Sequence, residues 1–513
     1  MALVEETMEH FSVGNALLFL ILGFVLYQVC KRIDEIIRMR RLGVRGPRIP
    51  NKLPFGLDLA RKTIRATMEH KNLEIWRSLF DMCKSWTVET RVVNRRILFT
   101  ADPDNIKALL ATQFGDYGKG KPFHEEWEPF LGDSIFATDG DIWHYSRQLI
   151  RPQFTKDRVS DLHCFENHIQ TLFKCMANGG ALDGEDQEIN MASVNGRVMD
   201  ISDLFFRMTL DVATDFLLGK DVKSLTTHQQ EFAEAFGEVQ RVQNLITRAG
   251  PLNRLYVERA LRLSPEELAT RTKSDMGYTF LHELASFTRD RKVLRDQLVA
   301  VLLAGRDTTA GTLSWTIYEL GRHPEAVRKL RDEITSVVGL ERTPTYADLK
   351  SMKYLQNVMN ETLRLYPSVP FNVRLALKDT TLPHGGGPDG SLPMPVLKDT
   401  PVGYSTLLMQ RRSDLYPPIS ETFADPQMFS PDRWFHWQPK PWQYIPFNGG
   451  PRICIGQQFA LTEMGYVLVR MFQRFERVVS YMDDIDGGHP TLKAEIVLQP
   501  GDGVKVAFWE AKK

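Results

Sequence analysis

The most chemically specific stretch of the 513-residue chain is a glycine-rich loop with one cysteine, FNGGPRICIG at residues 447–456. Cys454 offers a soft thiolate, and Arg452 supplies a fixed positive charge two residues away. The flanking glycines permit a tight turn. The apolar run 459–469 has helical spacing, which puts Cys454 just before a helix N-terminus, where the dipole also favours negative charge. The pattern predicts a loop that presents a thiolate to an iron ion in a flat cofactor. The alternative is an inert cysteine in a glycine turn.

A second group of polar residues interrupts an apolar helical run, LVAVLLAGRDTTAGTLSWTIYEL at residues 298–320. A helix this apolar should be buried, so Asp307 and the threonines beside it need partners or a task. Gly305 weakens a helix by about 1 kcal/mol relative to alanine, and Thr308 can bond back to a carbonyl one turn earlier. These features predict a locally opened helix with room for a small ligand and a water. A buried structural polar cluster is the alternative.

Two further patterns place polar residues one helical turn apart. Glu361 and Arg364 share a helix face and, taken alone, predict a plain surface ion pair that contributes about 0.2–0.5 kcal/mol. Trp143 and Arg147 put an indole N–H and a guanidinium about one turn apart on one face. Each pattern is a weak signal by itself.

The elements that must position these residues are mostly helical. Long helical spacing covers 198–218, 231–247, 292–321 and 324–338, whereas short strand-like pieces occur at 88–94, 96–100, 373–377, 395–404 and 504–508. We therefore predict a mainly α fold with a minor β portion. Because no repeat, low-complexity block or long linker occurs after residue 60, we expect one large catalytic domain over 61–513.

The N-terminal segment departs from this globular pattern. Phe11 to Cys30 is almost wholly apolar and about long enough to span a bilayer. Three glutamates precede it and seven Lys and Arg residues follow within 31–48, so the positive-inside rule predicts a lumenal segment 1–10 and a cytosolic catalytic domain. A cleaved signal peptide would need a basic n-region and a small-residue cleavage site, and neither is present. A buried core helix is the other alternative. We expect an uncleaved transmembrane anchor over 11–30, then a basic stretch and proline hinge over 31–60.

Composition excludes some classes of function. Lys plus Arg and Asp plus Glu both number 64, so the chain has no basic surplus for nucleic acid. The five cysteines are odd in number and form no CxxC pair, so their spacing suggests neither a zinc site nor a disulfide framework. A reducing compartment fits this cysteine usage.

These motifs together resemble those of the cytochrome P-450 family, over roughly residues 40–512. Residues 447–456 match its cysteine-ligand loop, Phe-x-x-Gly-x-Arg-x-Cys-x-Gly, at every fixed position. Residues 304–309 match its oxygen-binding motif, Ala/Gly-Gly-x-Asp/Glu-Thr-Thr/Ser. Glu361 and Arg364 match its Glu-x-x-Arg pair, which the family closes with an arginine from a Pro-x-Arg-Phe/Trp element, here Arg433. The resemblance implies a cytochrome P-450 fold and a haem-thiolate monooxygenase.

The resemblance also implies roles around a haem b cofactor. Cys454 would be the axial thiolate of the iron, with Phe447 packed near the sulfur. Asp307 would gate proton entry, and Thr308 would donate a hydrogen bond to bound dioxygen. The residues implied to hold the haem carboxylates are Trp143, Arg147, Arg374 and Arg452. Glu361, Arg364 and Arg433 would lock the core behind the cysteine loop. Ala304 stands where animal fatty-acid hydroxylases carry a glutamate that esterifies haem, so we expect no covalent haem link.

Three segments are similar to the fungal alkane and fatty-acid terminal hydroxylase branch: Arg306 in the oxygen motif, the loop 382–390 and the hinge segment 51–58. This similarity implies hydroxylation at or near the end of a long aliphatic chain, at the endoplasmic reticulum membrane. The chain has no glycine-rich dinucleotide motif, so we expect electrons from a separate NADPH-cytochrome P-450 reductase, with cytochrome b5 as a further donor.

Three other functions stay open. The first is a dedicated oxidase of a fungal secondary-metabolite pathway that makes a polyketide or terpenoid. The second is a lyase or isomerase on this fold, against which Asp307 and Thr308 argue. The third is a non-catalytic membrane haem sensor, which would need no proton-delivery threonine.

Overall fold

The computed structural model describes residues 13–53, 56–92, 95–154, 162–185, 187–219, 221–227, 290–421 and 423–511. The predicted lumenal segment 1–10 and the helix predicted over 231–247 lie outside these residues. So do the first two residues of the predicted anchor and Pro54 of the predicted hinge.

Helices make up most of the regular structure in the described ranges. They are α1 (Val13–Leu42), α2 (Leu57–Met68), α3 (Asn72–Cys83), α4 (Pro103–Lys107), α5 (Gly120–Leu131), α6 (Gly140–Ile150), α7 (His163–Asn178), α8 (Ile201–Leu218), α9 (Arg291–Leu320), α10 (Pro324–Val337), α11 (Tyr346–Ser351), α12 (Lys353–Leu365), α13 (Thr406–Gln410), α14 (Arg433–His436), α15 (Gln457–Arg474) and α16 (Asp483–Asp486).

The strands are short and fall into small sheets. They are β1 (Thr87–Val92), β2 (Arg95–Thr100), β3 (Tyr117–Gly118), β4 (Met199–Asp200), β5 (Asn372–Ala376), β6 (Thr380–Gly386), β7 (Leu392–Val396), β8 (Pro401–Tyr404), β9 (Phe475–Ser480), β10 (Leu492–Ala494), β11 (Leu498–Pro500) and β12 (Lys505–Glu510). The described sheets have the orders β1-β2-β8-β5-β3, β4-β12-β9, β6-β7 and β10-β11. The predicted fold class, mainly α with a minor β portion, is confirmed.

Helix α9 runs through the core, with α8, α12 and α15 packed around it. The side chain of Asp290 caps its N-terminus by accepting from the backbone N–H of Lys292 at 2.8 Å. Its C-terminal half is fully buried, and there Trp315 stacks on Tyr366 with ring centroids 4.2 Å apart. A helix buried on all sides can be apolar around its whole circumference, as this sequence is.

Two sequence predictions need correction. The predicted opening of the helix at 304–309 is wrong, because α9 runs unbroken from Arg291 to Leu320 while Thr308 Oγ1 donates to the Ala304 carbonyl at 2.6 Å. The strand-like piece predicted over 395–404 is split between β7 and β8. The two strands are separated by a turn in which Asp399 has a φ of 64°.

The five-stranded sheet brings two distant segments of chain together. Strand β3 pairs antiparallel with β5, with Gly118 opposite Leu375. The residues next to this pair in the sequence are Lys119 and Arg374, so the pairing places two cationic side chains side by side at one edge of the sheet.

The C-terminal part of α1 docks on the sheet region. Met39 is 1% exposed, and Arg38 Nε donates to the Asp379 carboxylate at 2.8 Å. Across the residues that the structure describes, no helix combines the length and apolarity needed to cross a lipid bilayer.

Candidate active site

Cys454 lies in a tight turn between the 3-10 segment Gly450–Arg452 and α15. Its backbone N–H donates to the Phe447 carbonyl at 3.0 Å, which closes the loop. Gly450 has a φ of 65°, and a Cβ there would lie 1.9 Å from the Leu110 carbonyl oxygen. Only glycine fits this position, and the loop is held in one conformation against Leu110.

Burial and neighbouring groups shift the pKa of the Cys454 thiol in opposite directions. Burial raises its pKa above the ordinary value, while the N–H of Gly456 and the charge of Arg147 act to lower it. Cys454 is nevertheless exposed. A cation at the sulfur would stabilise the thiolate, so the surroundings favour a bound metal over a free charged sulfur.

Three cationic side chains lie close together beside the cysteine loop, and Asp139 is the carboxylate next to them. Asp139 accepts from Arg452 Nη2 at 2.6 Å and from the backbone N–H of Lys119 at 2.9 Å. Lys119 Nζ and Arg374 Nη1 both donate to Asn372 Oδ1, at 3.2 and 3.1 Å. When all three are protonated, Lys119, Arg374 and Arg452 carry three positive charges against the one negative charge of Asp139. The excess of two charges matches a dianionic ligand.

The positive charges of this cation cluster (Lys119, Arg374 and Arg452) lower the pKa values of its own members. Burial and the charges of Arg374 and Arg452 lower the pKa of Lys119 well below its ordinary value. Burial and Arg374 lower the pKa of Arg452 to about 10. Two added carboxylates would reverse both shifts, because opposite charges favour the protonated form of a cation.

A buried donor in the cluster also lacks an acceptor. The Nε of Arg452 is buried without a hydrogen-bond partner among the described residues. Its guanidinium lies 4.6 Å from the ring centroid of Trp143, which is 7% exposed, and Arg147 Nη1 donates to the Ile453 carbonyl at 3.0 Å. An unsatisfied buried donor costs about 1–3 kcal/mol, so this nitrogen points to an absent acceptor.

One face of α9 is left uncovered in the middle of the core. Val301, Ala304, Gly305 and Thr308 are only partly buried, although most of their neighbours on the other faces, Arg306 excepted, are buried. The spacing i, i+3, i+4, i+7 puts these four residues on one stripe of the helix. The Thr308 hydroxyl belongs to this partly buried stripe.

The polar residues beside Thr308 are fixed by partners. Asp307 is 1% exposed and lies 3.5 Å from Arg306 Nη1. On the opposite side of α9, Thr309 hydrogen-bonds to Glu463 of α15, and burial raises the pKa of Glu463 to about 8. Glu463 Oε1 is itself buried without a partner among the described residues. This contact ties the oxygen-motif helix to the helix that begins after Cys454.

Glu361, Arg364 and Arg433 form a buried network behind the loop, each at most 1% exposed. Arg364 donates to both oxygens of Glu361, at 2.7 and 2.9 Å, and Arg433 Nε donates to Oε1 at 3.0 Å. Trp434 Nε1 and the N–H of Ser430 also donate to this carboxylate, at 3.0 and 2.9 Å. Burial opposes ionisation of Glu361, but Arg364 and Arg433 outweigh it and lower the pKa. The plain surface pair predicted from spacing alone is wrong.

Taken together, these residues fit a haem. The cation cluster would hold its two carboxylates, Cys454 would face its iron, and the uncovered stripe of α9 would face its other side. When bound, the haem supplies dioxygen activation, with the proximal thiolate favouring O–O cleavage.

Three residues of this site escaped prediction. Lys119 is brought in only by the pairing of β3 with β5, and Trp434 adds a donor to Glu361. Glu463 sits nine residues after Cys454, inside a run whose apolar spacing predicted only a helix. The single available signal was an acidic residue on that apolar run, which is costly to bury without a partner.

The comparisons with known proteins identify the class. The family described as cytochrome P-450 matches residues 70–273 and 282–503. The chain belongs to the cytochrome P-450 family, whose members bind haem through a cysteine thiolate, and it is a haem-dependent monooxygenase. Such enzymes take electrons from a redox partner and act on small molecules.

Individual relatives cover nearly the whole chain. It is 55% identical to the cytochrome P-450 monooxygenase pvhE of Talaromyces variabilis, across 100% of this chain and 99% of that protein. It is 40% identical to cytochrome P-450 52A13 of Debaryomyces hansenii, across 88% and 89% of the two chains. Cytochrome P-450 52A1 of Candida tropicalis is 41% identical, across 83% of this chain and 80% of its own.

Proposed function

We propose that Cys454 is the axial ligand of the haem and that the enzyme hydroxylates an apolar substrate at or near the end of a long aliphatic chain. One observation carries the haem assignment. An exposed cysteine thiol, a partly buried stripe of α9 and a cluster of cations beside the cysteine loop occur in one protein. A flat dianionic cofactor with a metal at its centre would use all three.

The haem carboxylates are assigned to the cation cluster. Arg374 and Arg452 bind them, Lys119 adds a third cation, and Trp143 and Arg147 line the same region. The unpaired Nε of Arg452 supports the assignment, because a carboxylate oxygen is the acceptor that this donor lacks. Phe447 packs beside the loop as part of the apolar surroundings of the sulfur.

Proton delivery is assigned to Asp307 and Thr308. The Thr308 hydroxyl now donates to the Ala304 carbonyl at 2.6 Å, and it lies on the uncovered stripe. Rotation about its Cβ–Oγ1 bond would turn this proton away from the carbonyl and towards the proposed haem position. Asp307 is one residue away and buried. It would pass a proton to the Thr308 hydroxyl while remaining shielded from bulk water. Positioned proton transfer contributes about 10²–10⁴ in rate.

Two substrate classes have support. The aliphatic chain is favoured by the similarity of Arg306 and of the segments 382–390 and 51–58 to the fungal hydroxylase branch, and by 38–41% identity to 52A enzymes. A dedicated oxidase of a secondary-metabolite pathway is favoured by the 55% identity to pvhE over the full chain. Family membership favours catalysis over a haem sensor.

Membrane attachment is assigned to the N-terminal segment, with the anchor over 11–30, the hinge over 31–60 and the catalytic domain from 61 onward facing the cytosol. Between Leu18 and Val29, most large apolar side chains of α1 are at least half exposed, which is unfavourable in water and supports burial in lipid. The placement is the endoplasmic reticulum membrane, where NADPH-cytochrome P-450 reductase, with cytochrome b5 as a further donor, would supply electrons.

A Soret titration of microsomes that contain the enzyme tests the substrate. The ligands are saturated fatty acids from lauric to stearic acid, n-alkanes and a set of bulky polycyclic natural products, with the reduced-CO spectrum as the control for intact haem. A saturable low-to-high-spin shift with linear chains but not with the bulky set supports chain hydroxylation. Intact haem without a response to linear chains contradicts it and favours the biosynthetic oxidase.

A further inference from the structure

A cluster of metal-ligating side chains lies away from the haem site, between the neighbouring helices α7 and α8. Cys164 and His168 are four residues apart on α7, so they lie on one face of that helix. Asp215 of α8 faces both of them, and its Oδ2 lies 3.3 Å from Cys164 Sγ and 3.2 Å from His168 Nε2. The three ligand atoms all lie within 4.8 Å of one another.

These separations match those of a tetrahedral zinc site. Zinc binds thiolate sulfur at about 2.3 Å and imidazole nitrogen or carboxylate oxygen at about 2.0–2.2 Å. Tetrahedral angles at those bond lengths give about 3.3–3.6 Å between nitrogen and oxygen and about 3.5–3.7 Å between sulfur and either of them. The distance from His168 Nε2 to Asp215 Oδ2 is close to the first range, and Cys164 Sγ would move away from Asp215 Oδ2 by a few tenths of an ångström. A set of one soft sulfur, one imidazole and one carboxylate is a combination suited to zinc.

A further carboxylate stands behind the histidine. His168 Nδ1 lies 3.9 Å from Asp221 Oδ2, on the side of the ring away from Asp215. The segment that carries Asp221 is held in place by Asp211, whose carboxylate accepts from the backbone N–H groups of Ser224 and Leu225 at 2.6 and 2.9 Å. Metal-binding histidines usually donate their second N–H to a carboxylate, which fixes the ring. Asp221 lies beyond hydrogen-bond distance of Nδ1, and Nε2, which faces Asp215, is the candidate ligand atom.

The burial of the cluster also suits an ion. His168 is 6% exposed and packed in place, whereas Cys164 and Asp215 are partly exposed and leave a route to solvent. Three protein ligands leave the fourth tetrahedral position for a water. We propose that Cys164, His168 and Asp215 bind one Zn²⁺ ion, with release of the Cys164 thiol proton to solvent, and that the ion clips α7 to α8.

The spacing of the residues in the sequence does not indicate this metal site. Two ligands come from one helical turn and the third lies about fifty residues later on another helix, so no CxxC or His-x-His spacing marks it. The competing interpretation is a hydrogen-bonded triad, in which the neutral thiol and the imidazole both donate to Asp215. Hydrogen bonds have similar distances, so metal binding itself must be measured.

The experiment uses purified haem-loaded enzyme that has been treated with a chelator and desalted. Zn²⁺ is added as the chloride, and bound zinc is counted against haem iron after equilibrium dialysis. We expect one zinc per haem in the wild type, and at least a tenfold weaker affinity in Cys164→Ser, His168→Asn and Asp215→Asn. Cys83→Ala and His144→Asn, which alter a cysteine and a histidine outside the cluster, should bind zinc as the wild type does.

Zinc K-edge X-ray absorption on the wild type provides a readout that needs no variant to fold. One sulfur at about 2.3 Å and lighter ligands at about 2.0 Å support the site. Failure of the wild type to bind zinc above the level of non-specific binding, equal affinity in the three cluster variants, or a zinc spectrum without sulfur would overturn the proposal and leave the hydrogen-bonded triad.

Discussion

Arg364 and Glu361 are joined by two parallel hydrogen bonds of 2.7 and 2.9 Å, and both side chains are completely buried. Glu325 and Arg328 on α10 have the same three-residue spacing and an equally short contact of 2.6 Å, but their side chains are about 60% exposed. Identical spacing therefore produces a core network in one helix and a solvated surface pair in another. The difference lies in what covers each helix face.

The contrast between the buried and the exposed ion pair gives the first prediction. Arg364→Ala leaves the Glu361 carboxylate buried with part of its compensation removed, which costs about 3–5 kcal/mol. We expect a markedly lower unfolding midpoint and loss of haem from the purified protein. Arg328→Ala is the matched control and should leave both the midpoint and the haem content unchanged. Equal behaviour of the two variants in thermal melts would contradict the core role.

Replacement of Cys454 tests the ligand assignment. Cys454→Ala removes the exposed thiol of the cysteine loop, so the reduced-CO complex should lose its red-shifted Soret band. Cys83→Ala, which removes a half-buried cysteine on α3, should keep that band. A wild-type reduced-CO spectrum in Cys454→Ala would refute the assignment.

Lys119 provides a prediction whose sign differs between the haem-free and haem-loaded protein. Without haem, Lys119→Met relieves repulsion from Arg374 and Arg452, so the stability of the apoprotein should hold or rise. With haem, the variant loses a charge-assisted hydrogen bond of about 1.5–3 kcal/mol, so haem should transfer to apomyoglobin about tenfold faster or more. Lys121→Met, which replaces an exposed lysine two residues further on in α5, is the control. Unchanged haem transfer would remove Lys119 from the cofactor site.

The sequence predicted what depends on local pattern and missed what depends on distant pairing. The loop around Cys454 and the helix around Thr308 were placed correctly, because their glycines and apolar spacing are local signals. Spacing alone gave no sign that Glu361 is buried, since an i, i+3 pattern carries no information about what packs on it; the core role came from the motif resemblance. Lys119 and the cluster of Cys164 with Asp215 become visible only when separate segments meet. Motif resemblance supplied Arg433, which spacing alone could not connect to Glu361.

The hydroxyl of Thr308 is expected to govern coupling of electrons to product. Thr308→Ala keeps haem and the reduced-CO spectrum but loses the proton donor on the uncovered stripe, so hydrogen peroxide per NADPH should rise several-fold and product should fall. Thr308→Ser keeps a hydroxyl at the same position and should restore most of the coupling. If the alanine variant gave the wild-type ratio of product to NADPH, the proton-delivery role would be wrong.

Glu463 makes stability depend on pH in a defined direction. Burial raises its folded-state pKa to about 8, well above that of an unfolded glutamate, so the folded protein retains a proton that the unfolded chain gives up. The contribution of this group is therefore fully present at low pH and is lost as pH rises from about 4.5 towards 8, by up to about 1.4 kcal/mol per pH unit. Glu463→Gln cannot ionise and should not show this loss. Thermal melts of both proteins between pH 5 and pH 9 should give midpoints that diverge as pH rises, with the glutamine variant becoming the more stable of the two. A constant difference across that range would mean that Glu463 is ionised in the fold throughout, and that the Thr309 contact joins α9 to a charged carboxylate.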